Sequence, residues 1–157
     1  MLRQRREIET MLRDADTIAI AGGHVAVLLN RMQMFGVQSL IDGHAVLAWS
    51  AGAMVLGERV VVFHDSPPQG PGAAEVLDRG LSVVAGVVPL PHPETRLLLD
   101  DPGRVSFMAR RFAPSLCLAF PSGTRVTRRD GRWESAHGVL RLLDDGGRAP
   151  WPESAAG

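Results

Sequence analysis

Short apolar runs alternate with amphipathic stretches along most of this chain. Leu2, Ile8, Met11 and Leu12 fall near helical spacing in a charged context, so residues 2–14 are expected to form an amphipathic helix. Thr17–Ala21 (Thr-Ile-Ala-Ile-Ala) is almost wholly apolar, which suggests a strand buried on both faces of a parallel sheet. Gly22-Gly23 interrupts it, and Val27, Leu28, Met32 and Phe35 then mark a helix over Val25–Phe35. Gly36 and Asp42-Gly43 punctuate the approach to a second strand, Ala45–Trp49, and Arg59–Phe63 is β-branched and strand-like. Asp65–Gly72 holds three prolines and two glycines, which leave neither ladder nor helix. Leu81–Val88 reads as a strand ended by Pro89-Leu90-Pro91-His92-Pro93. Pro102–Phe112 reads as a helix with Val105, Met108 and Phe112 on one face, and Leu116–Phe120 as a buried strand. Arg125–Thr127 and Arg132–Glu134, flanking Arg129-Asp130-Gly131, read as a small exposed hairpin.

Strands alternating with helices predict a three-layer α/β/α sandwich with a mostly parallel sheet, plus the small C-terminal hairpin. A single domain over residues 1–143 is expected, with a disordered Gly-, Pro- and Ala-rich tail over 144–157. At 157 residues the chain is long enough to bury a core without staples. Lys+Arg and Asp+Glu balance at 17 each, so no net field draws in nucleic acid or a membrane surface. The arginine clusters (Arg3, Arg5, Arg6; Arg110, Arg111; Arg128, Arg129) have acids interspersed and read as solvated faces. The single cysteine, Cys117, lies in the apolar run Leu116–Phe120, which excludes a disulfide framework and fits a reducing cytoplasm. No apolar run approaches the roughly 20 residues of a membrane span. The N-terminus enters charged helix with no signal-peptide core. A soluble, cytoplasmic protein without nucleic-acid or membrane partners is the expectation.

The stretch Ala48-Trp49-Ser50-Ala51-Gly52-Ala53-Met54 carries the most chemistry. An apolar strand ends at Ser50 and a helix of small residues begins at once, the arrangement of a nucleophile elbow. Small neighbours are needed there because a branched Cβ would block both the turn and a substrate. The fit to G-x-S-x-G is imperfect, since Ala48 stands where the first glycine would be, and a packing turn reads equally well. His64-Asp65 suggests a metal pair, but no third ligand stands at helpful spacing, so no metal is expected. Gly22-Gly23 with Asn30 could cradle a phosphate, yet neither G-x-G-x-x-G nor G-x-x-x-x-G-K-[ST] is present, and no cofactor is expected.

Ser50, Gly22-Gly23 and His92 each follow an expected strand, where an open α/β sheet places its active site. In this order they resemble the serine peptidase family of aspartyl dipeptidase (dipeptidase E) and cyanophycinase. The stretches that carry the likeness are Ala15–Gly23, Leu28-Leu29-Asn30-Arg31, Trp49-Ser50-Ala51-Gly52-Ala53 and Pro91-His92. The resemblance implies a flavodoxin-like, class I glutamine amidotransferase-like fold and hydrolysis of a small peptide or amide through an acyl-enzyme. Ser50 would be the nucleophile and His92 the base, with the backbone N–H groups of Gly23 and Ala51 as oxyanion hole. His24 and His64 are the next candidates for the base. The family's orienting glutamate falls in a loop that here reads Pro121-Ser122-Gly123-Thr124, with no carboxylate. Asp65, Glu75 or Glu94 are the candidates to replace it. Arg31 and Arg96 are candidate pocket cations. Family members also carry further strands ahead of the glycine pair. Without them an open sheet edge is expected, covered by the first helix or by a second subunit of a homo-oligomer. Two alternatives remain: a catalytically silent ligand- or partner-binding domain, and a structural subunit completed by another chain.

Overall fold

The computed structural model describes residues 2–64 and 74–152. In chain order the elements are α1 (Leu2–Arg13), β1 (Thr17–Ile20), α2 (Val25–Phe35), α3 (Val37–Leu40), β2 (Ala45–Ala48), α4 (Ala51–Leu56), β3 (Arg59–Val62) and β4 (Glu75–Arg79). They continue with β5 (Val87–Pro91), α5 (Pro93–Arg96), α6 (Pro102–Phe112), β6 (Leu116–Phe120), β7 (Arg125–Arg129), β8 (Arg132–His137), β9 (Leu140–Leu142) and β10 (Arg148–Pro150). No helix among the described residues is long and apolar enough to cross a membrane.

The fold is mixed α/β, and this corrects the expectation of one mostly parallel sheet. β1 pairs with β2 and β5 with β6 in parallel. The β3–β4, β6–β9, β9–β10 and β7–β8 pairs are antiparallel. The strands form a β10-β9-β6-β5 sheet and three two-stranded sheets. β1 is also not buried on both faces: Ile18 and Ile20 point inward while Thr17 and Ala19 are exposed. On the neighbouring strand Leu47 is 62% exposed, so this pair shows solvent an apolar face.

Residues 81–88 do not form the expected strand. Ser82 (φ 52°) and Gly86 (φ 72°) break the extended run, and β5 begins at Val87 and continues through two prolines. The prolines are tolerated because of strand parity. Gly86 O accepts from Leu116 N and His92 N donates to Phe120 O, so even-numbered residues face β6. Val87 O points the other way, to Glu58 N, and so do the missing donors of Pro89 and Pro91. The 144–157 tail is corrected in part. Arg148–Pro150 pair with β9, and Trp151 is buried beside Trp133 in an edge-to-face contact at 4.6 Å. Residues 153–157 lie outside the described residues.

Helix α4 joins the two halves of the core. Met54 packs among Val61, Val88, Leu90, Val105 and Phe112. Val55 and Leu56 pack among Ile18, Ile20, Leu29 and Val60. α6 covers the β5–β6 side, started by Asp101, whose Oδ1 accepts from Gly103 N (2.9 Å) and Arg104 N (3.2 Å), with Pro102 as first residue. Glu58 is a second clamp: its Oε2 accepts from Gly86 N (2.8 Å) and from the Ser115 hydroxyl (3.1 Å). The Gly86 N–H, and then the Ser115 hydroxyl, hold the Glu58 carboxyl below its ordinary value. A carboxylate lowered in the folded state stabilises above its unfolded pKa, near 4.5, and that contribution is lost as pH falls through the folded value. The urea midpoint of the wild type is therefore expected to drop on acidification from neutral to pH 3. The drop should be smaller in Glu58→Gln, and equal drops would show that the clamp carries no charge-dependent stability.

Candidate active site

Parallel pairing places the carboxyl ends of β1 and β2 side by side. Ile20 stands opposite Ala48, and Trp49 N donates to Ile20 O at 3.2 Å. Beyond that pair the two strands run on into Gly22-Gly23 and Ser50. Ser50 bridges β2 and α4 with φ 52° and ψ −125°, while its carbonyl already accepts from Met54 N. A non-glycine residue held there costs on the order of 1–3 kcal/mol, and such strain gathers at functional sites. Among the described residues Ser82, His92, Leu98 and Asp130 are the others with positive φ that are not glycine.

Small residues let this turn close. A Cβ on Gly22 would lie 3.0 Å from Ser50 Cβ and 3.2 Å from its Oγ, so the serine side chain rests against the Gly22 backbone. Gly23 adopts φ 137°, open to L side chains only at a steric cost. Ala51 opens α4, and the first N–H groups of a helix have no intrahelical partner.

His92 ends β5 with φ 54° and ψ 50°, its backbone N–H on Phe120 O at 3.2 Å. The left-handed turn swings the chain out of the sheet into α5 and leaves the imidazole exposed. Among the described residues neither ring nitrogen makes a hydrogen bond. Ser50 and His92 line one open cavity of about 1490 Å³. Its lining includes residues of β2, Trp49, Pro89, Pro91 and Phe120.

The other expected site residues separate. His24 precedes α2, exposed and without a cap bond, and His64 stands 3.7 Å from Glu75 Oε1; neither lines the cavity. Glu75 thus lies beside His64, and Asp65 lies outside the described residues. Glu94 Oε1 accepts from Ser122 N at 2.9 Å. Arg31 is exposed and Arg96 covers the Phe63 ring at 5.3 Å; neither reaches the cavity wall. The cations on that wall are instead Arg125 and Arg128 of the hairpin, with Arg128 over the Trp133 ring at 5.8 Å. Arg128 and Arg129 are exposed, as the charged hairpin predicts, and the place of Arg128 beside the cavity depends on where the hairpin packs, which its local sequence does not encode. Cys117 is no rival nucleophile, since burial pushes its thiol up to about 12.

A solved structure similar to this one is that of a candidate peptidase E protein from Listeria monocytogenes EGD-e. It matches with a TM-score of 0.54 at 19% identity, over 87% of this chain and 65% of that one. This likeness is one of fold, and the chain spans less than two thirds of that protein's length. No curated protein matches the sequence. The model of Peptidase family S51 matches residues 2–94. Because that match covers more than half of the chain and runs from α1 to just past the histidine after β5, the chain belongs to peptidase family S51.

Proposed function

We propose that this chain is a serine-type peptidase that cleaves a small peptide or amide through an acyl-enzyme on Ser50. The observation that carries the reading is the strained strand-to-helix turn at Ser50, pressed against Gly22 and facing one cavity with His92. A serine hydroxyl is a poor nucleophile near neutral pH, and an adjacent imidazole is the side chain best suited to take its proton. In this mechanism Ser50 Oγ bonds to the substrate carbonyl carbon while its proton passes to His92. The oxyanion is held by the N–H groups of Gly23 and Ala51. The C–N bond then breaks, and the His92 proton goes to the departing amine. Water, deprotonated by the same imidazole, releases the acid and regenerates Ser50.

The silent-domain reading is favoured by one observation, the His92 ring without a hydrogen-bond partner among the described residues. A fluorophosphonate probe separates the two. The enzyme reading expects a covalent adduct mapped to Ser50 by peptide mass spectrometry and lost in Ser50→Ala. A folded wild-type protein that takes up no probe would favour the silent domain.

A further inference from the structure

We propose that Glu94 is the positioning residue for His92, supplying the carboxylate that the loop after β6 lacks. This deepens the serine-peptidase reading and rests on it for its catalytic meaning. A base histidine needs an acceptor on the ring nitrogen that does not face the nucleophile, which fixes the tautomer and stabilises the imidazolium. The structure narrows the choice of acceptor. Glu75 stands at the start of β4, 3.7 Å from His64 Nε2, and β4 pairs with β3 rather than with the strand that carries His92. Glu94 instead is tied to the ladder that carries His92. His92 N bonds Phe120 O, and two residues further along both strands Ser122 N bonds Glu94 Oε1. The base and the carboxylate are thus anchored on the same pair of chain ends.

Their placement around the cavity agrees with this division of labour. His92 lines the cavity shared with Ser50, whereas Glu94 stays off its wall. Glu94 lines a smaller depression with Leu98, Leu99, Asp100, Asp101 and Arg148. An orienting carboxylate belongs on the side of the ring away from the serine.

The charge state suits the role too. Its own and the Ser122 backbone N–H groups hold the Glu94 carboxyl below its ordinary value, and His92 adds a smaller lowering influence. Glu94 is therefore ionised at neutral pH. A carboxylate accepts about four hydrogen bonds, so two backbone donors leave room for an imidazole N–H. Both side chains are exposed and can rotate, and catalytic hydrogen bonds often tighten only when substrate binds. The other charged or titratable groups on the cavity wall are Asp42, His44, Arg125, Arg128 and Asp130.

The test is Glu94→Gln in the full chain, since glutamine keeps an oxygen for Ser122 N–H and removes only the charge. Two readouts are needed: the His92 titration by long-range ¹H–¹⁵N NMR, and the rate of fluorophosphonate labelling at Ser50. The expected result is a lower His92 midpoint, mixed neutral tautomers and labelling slowed by on the order of 10²–10⁴-fold. Glu94→Asp should restore part of both. An unchanged midpoint and tautomer in Glu94→Gln overturn the proposal, even if Ser50 still labels in the wild type. Conversely, a midpoint that follows Glu94 in a protein that never labels would uphold the Glu94–His92 coupling and sink the peptidase reading.

Discussion

His92→Ala is expected to slow acylation of Ser50 by roughly 10⁴–10⁶-fold, about the loss seen when the base is removed from a serine-protease triad. The size follows from how little else can take the serine proton. His92 follows the carboxyl end of β5 and shares a cavity with Ser50. His44 lines the same cavity but precedes β2, whereas Ser50 follows that strand, and its Nδ1 stands 3.2 Å from Asp42 O. His64 is engaged by Glu75 away from the cavity. The measurement is the second-order rate of labelling at Ser50, compared among wild type, His92→Ala and His64→Ala. His64→Ala should label like the wild type. If His92→Ala also labels at the wild-type rate, another group is the base. A parallel loss of hydrolysis of a small peptide amide would link the labelling to turnover.

The parts of this site legible in the sequence are those imposed by local sterics. Gly22-Gly23 and the small residues around Ser50 announce a close approach of backbones, and the structure puts Gly22 against the Ser50 side chain. The Asp130-Gly131 hairpin is equally local, with both residues at positive φ. What escaped the sequence depends on partners far along the chain. In sequence Pro89 and Pro91 read as the end of a strand, because the donor-free edge they need is defined only by the side on which β6 pairs. β4 escaped because Glu-Val-Leu-Asp-Arg is exposed along its whole length and so shows no alternation of burial. The 144–152 segment has the composition of a tail, yet its strand is fixed by β9 and by the burial of Trp151. Among the carboxylates the sequence leaves Asp65, Glu75 and Glu94 open, and the cross-loop bond to Ser122 is what distinguishes Glu94 from Glu75.

Gly52→Ala should be the most destabilising single-methyl change in the site, by about 3 kcal/mol or more. A Cβ there would fall 2.1 Å from Ile20 O, 2.8 Å from Ile20 C and 3.0 Å from Ala21 O. All three are backbone atoms at the end of β1, so no side chain can rotate away to make room. Relief would have to come from moving α4 or the end of β1. α4 is a poor candidate, because Met54, Val55 and Leu56 are buried and tie both parts of the core together. Moving β1 would stretch the bond from Trp49 N to Ile20 O and draw Gly22 away from Ser50. The substitution is therefore expected to lower the urea midpoint and, in whatever fraction remains folded, to slow labelling of Ser50. Both follow from one contact, so they should be lost together. A variant with a wild-type urea midpoint would show that α4 and β1 do not meet as closely as this geometry requires. Lost stability with an undiminished labelling rate would show that the Ser50 turn holds its shape without support from β1.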